Sequence, residues 1–275
     1  MQHSPLNTEC LERYLKLLSI SRRPPGEDAL SEIVRAHLYR VPFENISKLY
    51  YKEHMGLHGM PDLELFLDGI ERFNFGGTCY PNNFYLYRLL SSLGYDAALC
   101  GADMSSPDVH MVSMINLDGR RYLVDTGYAA PFDLPMPLDL TSDYSISLGR
   151  ARYVLKPRSE AGRSRMEFYR DGELIHGYTA KPEPRKIGEF DGVINDSFRD
   201  EATFMNSIML ARFFPGRSVV IHNLAVIESR GTVSNVRTLS GRKELAQVIT
   251  ELFEMPPRVV KDVVKGLGEL GDVWD

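Results

Sequence analysis

Residues 110–128 read HMVSMINLDGRRYLVDTGY. Asp118-Gly119, set between two alternating runs, predicts a β-hairpin, because a two-residue turn of the hairpin type needs two residues that tolerate positive φ. Such a turn pairs Leu117 with Arg120. Carried back along the strands, the same register sets Val112 opposite Asp125 and His110 opposite Gly127. His110 and Asp125 are then diagonal neighbours on one face, with Cβ atoms roughly 7 Å apart. Val112, Met114 and Leu123 share that face, which makes it a buried one. An ionised aspartate there is costly unless paired, and His110 is the nearest partner. Two readings of the pair stand on spacing alone: a core histidine satisfied by a structural aspartate, or an imidazole held ready as a base.

Outward from the hairpin, the hydrophobic period changes at Gly94. Before it, helical spacing predicts a helix around Leu11, Tyr14, Leu15 and Leu18, a second over Glu27–Tyr39, a third over Leu63–Phe73 and a fourth over Cys79–Leu93. After it the period is two. Strands are expected at Tyr95–Met104, His110–Leu117, Arg121–Tyr128, Tyr144–Leu148, Arg152–Leu155, Met166–Arg170 and Leu174–Tyr178, with a second hairpin at Asp171-Gly172. The last third alternates an apolar stretch, strands over Ser218–Glu228 and Gly231–Thr238, and a helix starting near Gly241. The pattern is an α+β fold: an N-terminal helical domain (1–94), a central antiparallel β-barrel (95–190) and a C-terminal α/β lid (191–275).

The 275 residues are 43% hydrophobic, 10% aromatic and 25% charged, which suits a globular chain with a large core and excludes a disordered one. A net charge of −5 argues against a nucleic-acid partner, which calls for a basic footprint. No apolar run approaches the roughly 20 residues of a membrane helix, and the first residues lack the basic-then-apolar order of a secretory signal. Three cysteines are too few for a disulfide framework, so a cytoplasmic location is expected.

One of those cysteines is placed for chemistry. Cys79 follows Gly76-Gly77-Thr78 at the start of the fourth helix, where Thr78 can cap and Pro81 is tolerated in the first turn. A helix N-terminus favours thiolate, and the paired glycines let a substrate approach the backbone. The alternative is that Cys79 merely fills a small space in the core. If Cys79, His110 and Asp125 converge, the imidazole can take the thiol proton while the carboxylate orients it and stabilises imidazolium.

Four segments in this order resemble the arylamine N-acetyltransferase family: Val41-Pro42-Phe43-Glu44-Asn45, then Gly76-Gly77-Thr78-Cys79-Tyr80 with Asn83, then His110, then Tyr122-Leu123-Val124-Asp125 with Gly127. The resemblance is clear over about residues 10–135 and only in outline beyond. It implies Cys79 as the nucleophile acylated by acetyl-coenzyme A, His110 as the base and Asp125 as its orienting partner. It further implies transfer to an amine, an oxyanion held by backbone N–H groups around Cys79, and no metal. Phe43, Gly127, Tyr128, Thr203 and Phe204 are implied as substrate or coenzyme contacts.

The chain also departs from the family pattern. Phe75 replaces the arginine before the glycine pair, so Glu44 needs another partner, with Arg72 the candidate. Pro81 replaces an acidic residue. Asp200 and Ala202 stand where proline and serine are expected, ahead of Thr203-Phe204. These changes keep open an amide synthase using another acyl donor, a coenzyme-free hydrolase with the same triad order, and a silent scaffold.

Other signals carry no function. Gly266-Leu267-Gly268-Glu269-Leu270-Gly271 spells a dinucleotide fingerprint, but no strand–turn–helix context surrounds it. His54 and His58 have metal-ligand spacing with Gly56 between them and no completing ligand, so a solvated loop is expected.

Overall fold

The structure, a computed structural model, describes residues 5–270. Helix α1 (Thr8–Leu18) is capped by Asn7, whose side chain accepts the Cys10 N–H at 2.7 Å, and it buries Leu11, Tyr14, Leu15 and Leu18. Helix α2 (Glu27–Arg40) follows, then a two-residue strand β1 (Phe43–Glu44), α3 (Ile46–Met55), α4 (Leu63–Phe73) and α5 (Cys79–Ser92). Every residue of α5 from Cys79 to Tyr87 is buried. A helix buried on all sides lies inside the protein, and α5 is the element on which the other helices and the neighbouring sheet pack.

Eight antiparallel strands come next: β2 (Asp96–Asp103), β3 (His110–Leu117), β4 (Arg120–Val124), β5 (Met136–Pro137), β6 (Tyr144–Leu148), β7 (Ala151–Leu155), β8 (Ser164–Arg170) and β9 (Glu173–Pro184). Their order is β5-β4-β3-β2-β9-β8-β7-β6. Phe132, near the β5 edge, meets Tyr153 on β7 at 5.4 Å between ring centres. That contact requires the sheet to curl round its own inner face, giving a barrel-like shape with β5 and β6 as open edges. The Asp118-Gly119 turn has φ of 51° and 77°, and β3 pairs with β4 in the expected register from Leu117↔Arg120 to Ser113↔Val124.

The remaining chain forms α6 (Asp191–Asp196), strands β10 (Met209–Phe214), β11 (Arg217–His222), β12 (Ala225–Arg230) and β13 (Val233–Thr238), and helices α7 (Arg242–Phe253) and α8 (Pro257–Gly266). Its sheet is antiparallel with order β1-β10-β11-β12-β13, so the short β1 joins it from the N-terminal third. Among the described residues, no helix is long and apolar enough to cross a membrane.

Several expectations need correction. Ser218–Glu228 is not one strand but a hairpin, turned at Asn223 with φ of 50°. The strand expected to reach Tyr128 ends at Val124, because the following backbone bonds to a side chain of α5 instead of a neighbouring strand. His54 is not in a loop. It lies in the last turn of α3, its ring 4.5 Å from that of Tyr50. Helix α3 is hidden in the sequence because its residues carry no continuous apolar stripe. Gly266 closes α8, and Gly271 of the fingerprint lies outside the described residues.

Close backbone packing leaves no room for a side chain at Gly76. A Cβ on Gly76 would lie 1.9 Å from the Pro42 carbonyl oxygen, whereas one on Gly26 would meet nothing within 4 Å. Gly76→Ala is expected to cost about 3 kcal/mol and Gly26→Ala to stay within about 0.5 kcal/mol of wild type. Urea unfolding midpoints check both, and equal midpoints for the two variants contradict the packing argument.

Candidate active site

Cys79 stands at the N-terminus of α5, 9% exposed. Thr78 occupies the capping position, but its side chain makes no capping bond. The turn before it is held from below: Asn82 Nδ2 donates to the carbonyls of Gly77 at 2.9 Å and Pro42 at 3.3 Å. Pro81 packs so closely under Gly77 that a Cβ there would fall 2.4 Å from its ring. The glycine pair therefore serves packing, Gly76 against Pro42 and Gly77 against Pro81.

One turn after Cys79, Asn83 organises the rest. Its Nδ2 donates to the Met111 carbonyl at 2.6 Å and to Asp125 Oδ1 at 2.8 Å. Its Oδ1 accepts the backbone N–H of Thr126 at 2.9 Å and of Gly127 at 3.1 Å. Gly127 also donates to Asp125 Oδ1 at 3.0 Å, and a Cβ on it would lie 2.8 Å from Cys79 Cα. The second Asp125 oxygen, Oδ2, is 2.9 Å from His110 Nε2. His110 and Asp125 are both almost fully buried.

His110 is also close enough to Cys79 for the thiol to act on its charge. Since Nε2 is occupied by Asp125, Nδ1 is the nitrogen left for the sulfur. Burial alone opposes charge on the ring. The Asp125 carboxylate, with its hydrogen bond and the nearby Cys79, overrides it and raises the imidazole from its ordinary 6.5 to about 10. The shift favours the imidazolium form, with Nδ1 the nitrogen that Asp125 leaves free. Such an arrangement suits nucleophilic attack by sulfur on an acyl carbon, followed by proton return to a leaving group. The other cysteines lie outside this network: Cys10 is buried in α1, and burial pushes the Cys100 thiol up to about 12.

The N-acetyltransferase family model matches residues 28–260, most of the chain. The chain belongs to the arylamine N-acetyltransferase family. It is 27% identical over 212 residues to arylamine N-acetyltransferase 2 of Rattus norvegicus, a match covering 66% of this chain and 70% of that one. With arylamine N-acetyltransferase 1 of Homo sapiens it is 29% identical over 142 residues, 48% of this chain and 47% of that protein, so the aligned stretch spans about half of that relative. The fold is similar to that of the Mycobacterium marinum arylamine N-acetyltransferase in complex with CoA, with a TM-score of 0.77 at 18% identity, over 94% of this chain and 100% of that one.

Against the family pattern, the departures have structural answers. Phe75 is buried among Tyr50, Tyr51 and Phe73. Arg72 does not take over as partner of Glu44; it is exposed and lies 3.5 Å from Asp68. Glu44 instead accepts backbone N–H bonds from Ser47 at 2.8 Å and Gly76 at 3.0 Å, tying α3 to the glycine turn. Burial nonetheless holds its carboxyl above the usual range. Asp200 is paired with Lys52 at 2.7 Å, which anchors its segment to α3.

Of the other contacts implied by the family, Tyr128 lies 5.7 Å from the His110 ring and bonds His176 Nδ1 through its hydroxyl at 2.6 Å. Phe43 and Phe204 meet edge to face at 5.6 Å. Asn45 holds that junction, donating to the Phe204 and Ser207 carbonyls at 2.9 and 2.7 Å and accepting from the Met209 N–H at 2.9 Å. Thr203 is exposed on the adjacent turn.

Asn83, Asn45 and Lys48 are the residues that sequence reasoning left without a role. The i, i+4 spacing of Cys79 and Asn83 on one helix is the signal available for the first. Lys48, on α3 and 7% exposed, gives none. Its Nζ donates to Ser197 Oγ at 2.8 Å and sits 4.3 Å over the Phe198 ring. It shares a small cavity with Thr78, Tyr80 and Pro81. Burial pushes its ammonium from 10.5 down to about 7; Cys79 opposes that shift and Lys52 adds to it. Between those two values the unfolded chain binds the extra proton, so this group's contribution makes stability rise with pH from about 7 to 10.5. Lys48→Met is therefore expected to raise Tm at pH 7 by at least about 2 °C, the gain shrinking toward pH 10. Thermal melts across that range check it, and a lower Tm at pH 7 contradicts it.

Proposed function

We propose that this chain moves an acetyl or short acyl group from a coenzyme A thioester, through a thioester on Cys79, to the nitrogen of an arylamine or hydrazine. The observation that supports it best is the buried line from Asp125 through His110 to Cys79 at the start of α5. Membership of the arylamine N-acetyltransferase family makes the chain an acyl-transfer enzyme. On this reading, residues 1–94 supply the nucleophile, 95–190 the base and its partner, and 191–275 close one side. Because Cys79 is free and must stay reduced, the enzyme works in the cytoplasm.

For attack, the thiol proton resides on His110, whose charge Asp125 offsets. The Cys79 sulfur attacks the acyl carbon, and backbone N–H groups of the first turn of α5 face the oxyanion that develops. His110 returns its proton to the departing coenzyme sulfur, leaving neutral imidazole beside the Cys79 thioester. It then takes a proton from the attacking amine as the C–N bond forms and the C–S bond breaks. The sulfur leaves as thiolate next to the imidazolium just formed, which restores the starting pair.

Intact-protein mass spectrometry after mixing with acetyl-coenzyme A alone tests this reading. The expected result is a gain of one acetyl group, about 42 Da for acetyl replacing a proton, mapped to Cys79 and absent in Cys79→Ala. No adduct with Cys79 still readily alkylated points to another acyl donor. An unreactive Cys79 contradicts a nucleophilic role.

A further inference from the structure

Beside Tyr128, whose ring lies 5.7 Å from that of His110, an open cleft runs between the curled sheet and the β10–β13 sheet. Tyr128, Tyr153, Phe168 and Phe213 supply aromatic faces to it. Among the described residues, the charged or titratable ones around it besides the tyrosines are Arg150, Arg170 and His176, with no aspartate or glutamate, although the chain as a whole is at −5.

These three groups differ in what occupies them. Arg150 is matched by Asp171 through two guanidinium–carboxylate bonds. His176 is bonded to the Tyr128 hydroxyl, and burial, reinforced by the positive charges of Arg170, His110 and Arg165, lowers it to about 4, so it is neutral. Arg170 has no carboxylate partner among the described residues; its guanidinium lies 5.4 Å from the centre of the Phe168 ring. Nearby Glu167 is drawn to Lys156 at 3.5 Å and Arg165 at 3.8 Å. Its place on β8, three residues from Arg170, puts it on the opposite face of the strand. The cleft thus combines aromatic walls with a single uncompensated guanidinium.

Ring contacts connect this cation to the base: Phe168 to His176 at 5.1 Å, His176 to Tyr128 at 5.4 Å, and Tyr128 to His110 at 5.7 Å. An aromatic ring lodged against Tyr128 would have one end toward the His110 side and the other toward Phe168 and Arg170. A planar guanidinium matches a carboxylate bidentately. We infer that the acceptor favoured by this enzyme is an anionic arylamine, one whose ring bears a carboxylate, and that Arg170 selects it. This inference rests on the acyl-transfer reading above. The same guanidinium chemistry would also suit a donor phosphate, so the two half-reactions have to be separated.

The experiment uses the full chain, acetylated with acetyl-coenzyme A and freed of excess donor. Discharge of the acetyl group is followed by mass with 4-aminobenzoate, 4-(4-aminophenyl)butanoate and the methyl ester of each. In Arg170→Gln the acid-to-ester ratio of discharge rates is expected to fall about 10- to 100-fold for at least one pair, the range set by a charge-assisted hydrogen bond. Arg170→Lys should recover part of that ratio, since it restores charge without the fork. An unchanged ratio for both pairs overturns the proposal. So does a loss confined to the acylation step, which gives Arg170 to the donor's phosphates. If wild-type protein never gains an acetyl group from acetyl-coenzyme A, the coenzyme A reading above fails, and this proposal with it.

Discussion

The buried carboxylate of Asp125 is the constraint around which this molecule is arranged. One oxygen faces His110, and the other is shared by Asn83 and the Gly127 N–H. A carboxylate taken out of water costs several kcal/mol unless its bonding is complete. Completing it requires the central helix, the first strand of the hairpin and the loop after the second strand to meet at one point. Asn83 then satisfies the loop's N–H groups and the Met111 carbonyl, so the polar network that sets the imidazole also fastens the curled sheet to α5. Packing and chemistry use the same atoms.

Much of this was legible in the sequence because it is local. Two residues, Asp118 and Gly119, determine the hairpin register, and that register brings His110 and Asp125 to one face. Helix α4 begins at Leu63 and ends at Phe73 as its apolar period requires. Cys79 lies at the helix start that the glycine pair and Pro81 mark. Each of these signals spans only a few residues.

What was not legible depends on partners far apart in the chain. Helix α3 has Ser47, Lys48 and Lys52 where an amphipathic stripe would be sought; Glu44 tethers its start and Ile46, Leu49 and Tyr51 bury against the C-terminal part. The loss of the family's arginine at Phe75 suggested a missing partner for Glu44, yet backbone N–H groups supply it, which no side-chain inventory reveals. The end of β4 at Val124 is likewise set by Asn83, on another element altogether. Lys48 reaches burial only because α6 and the residues after it cover α3.

Whether Asp125 sets the charge state of His110 can be read directly from the ¹⁵N resonances of histidine-labelled protein across pH. An imidazolium pattern for His110 is expected to persist through pH 8 and to be lost only as pH rises toward about 10. The stability this pair contributes is then complete below pH 6.5 and fades across the same interval. In Asp125→Asn the transition should move down by more than about one unit, the loss of an adjacent opposite charge. A neutral imidazole titrating near 6.5 in the wild-type protein would contradict the account.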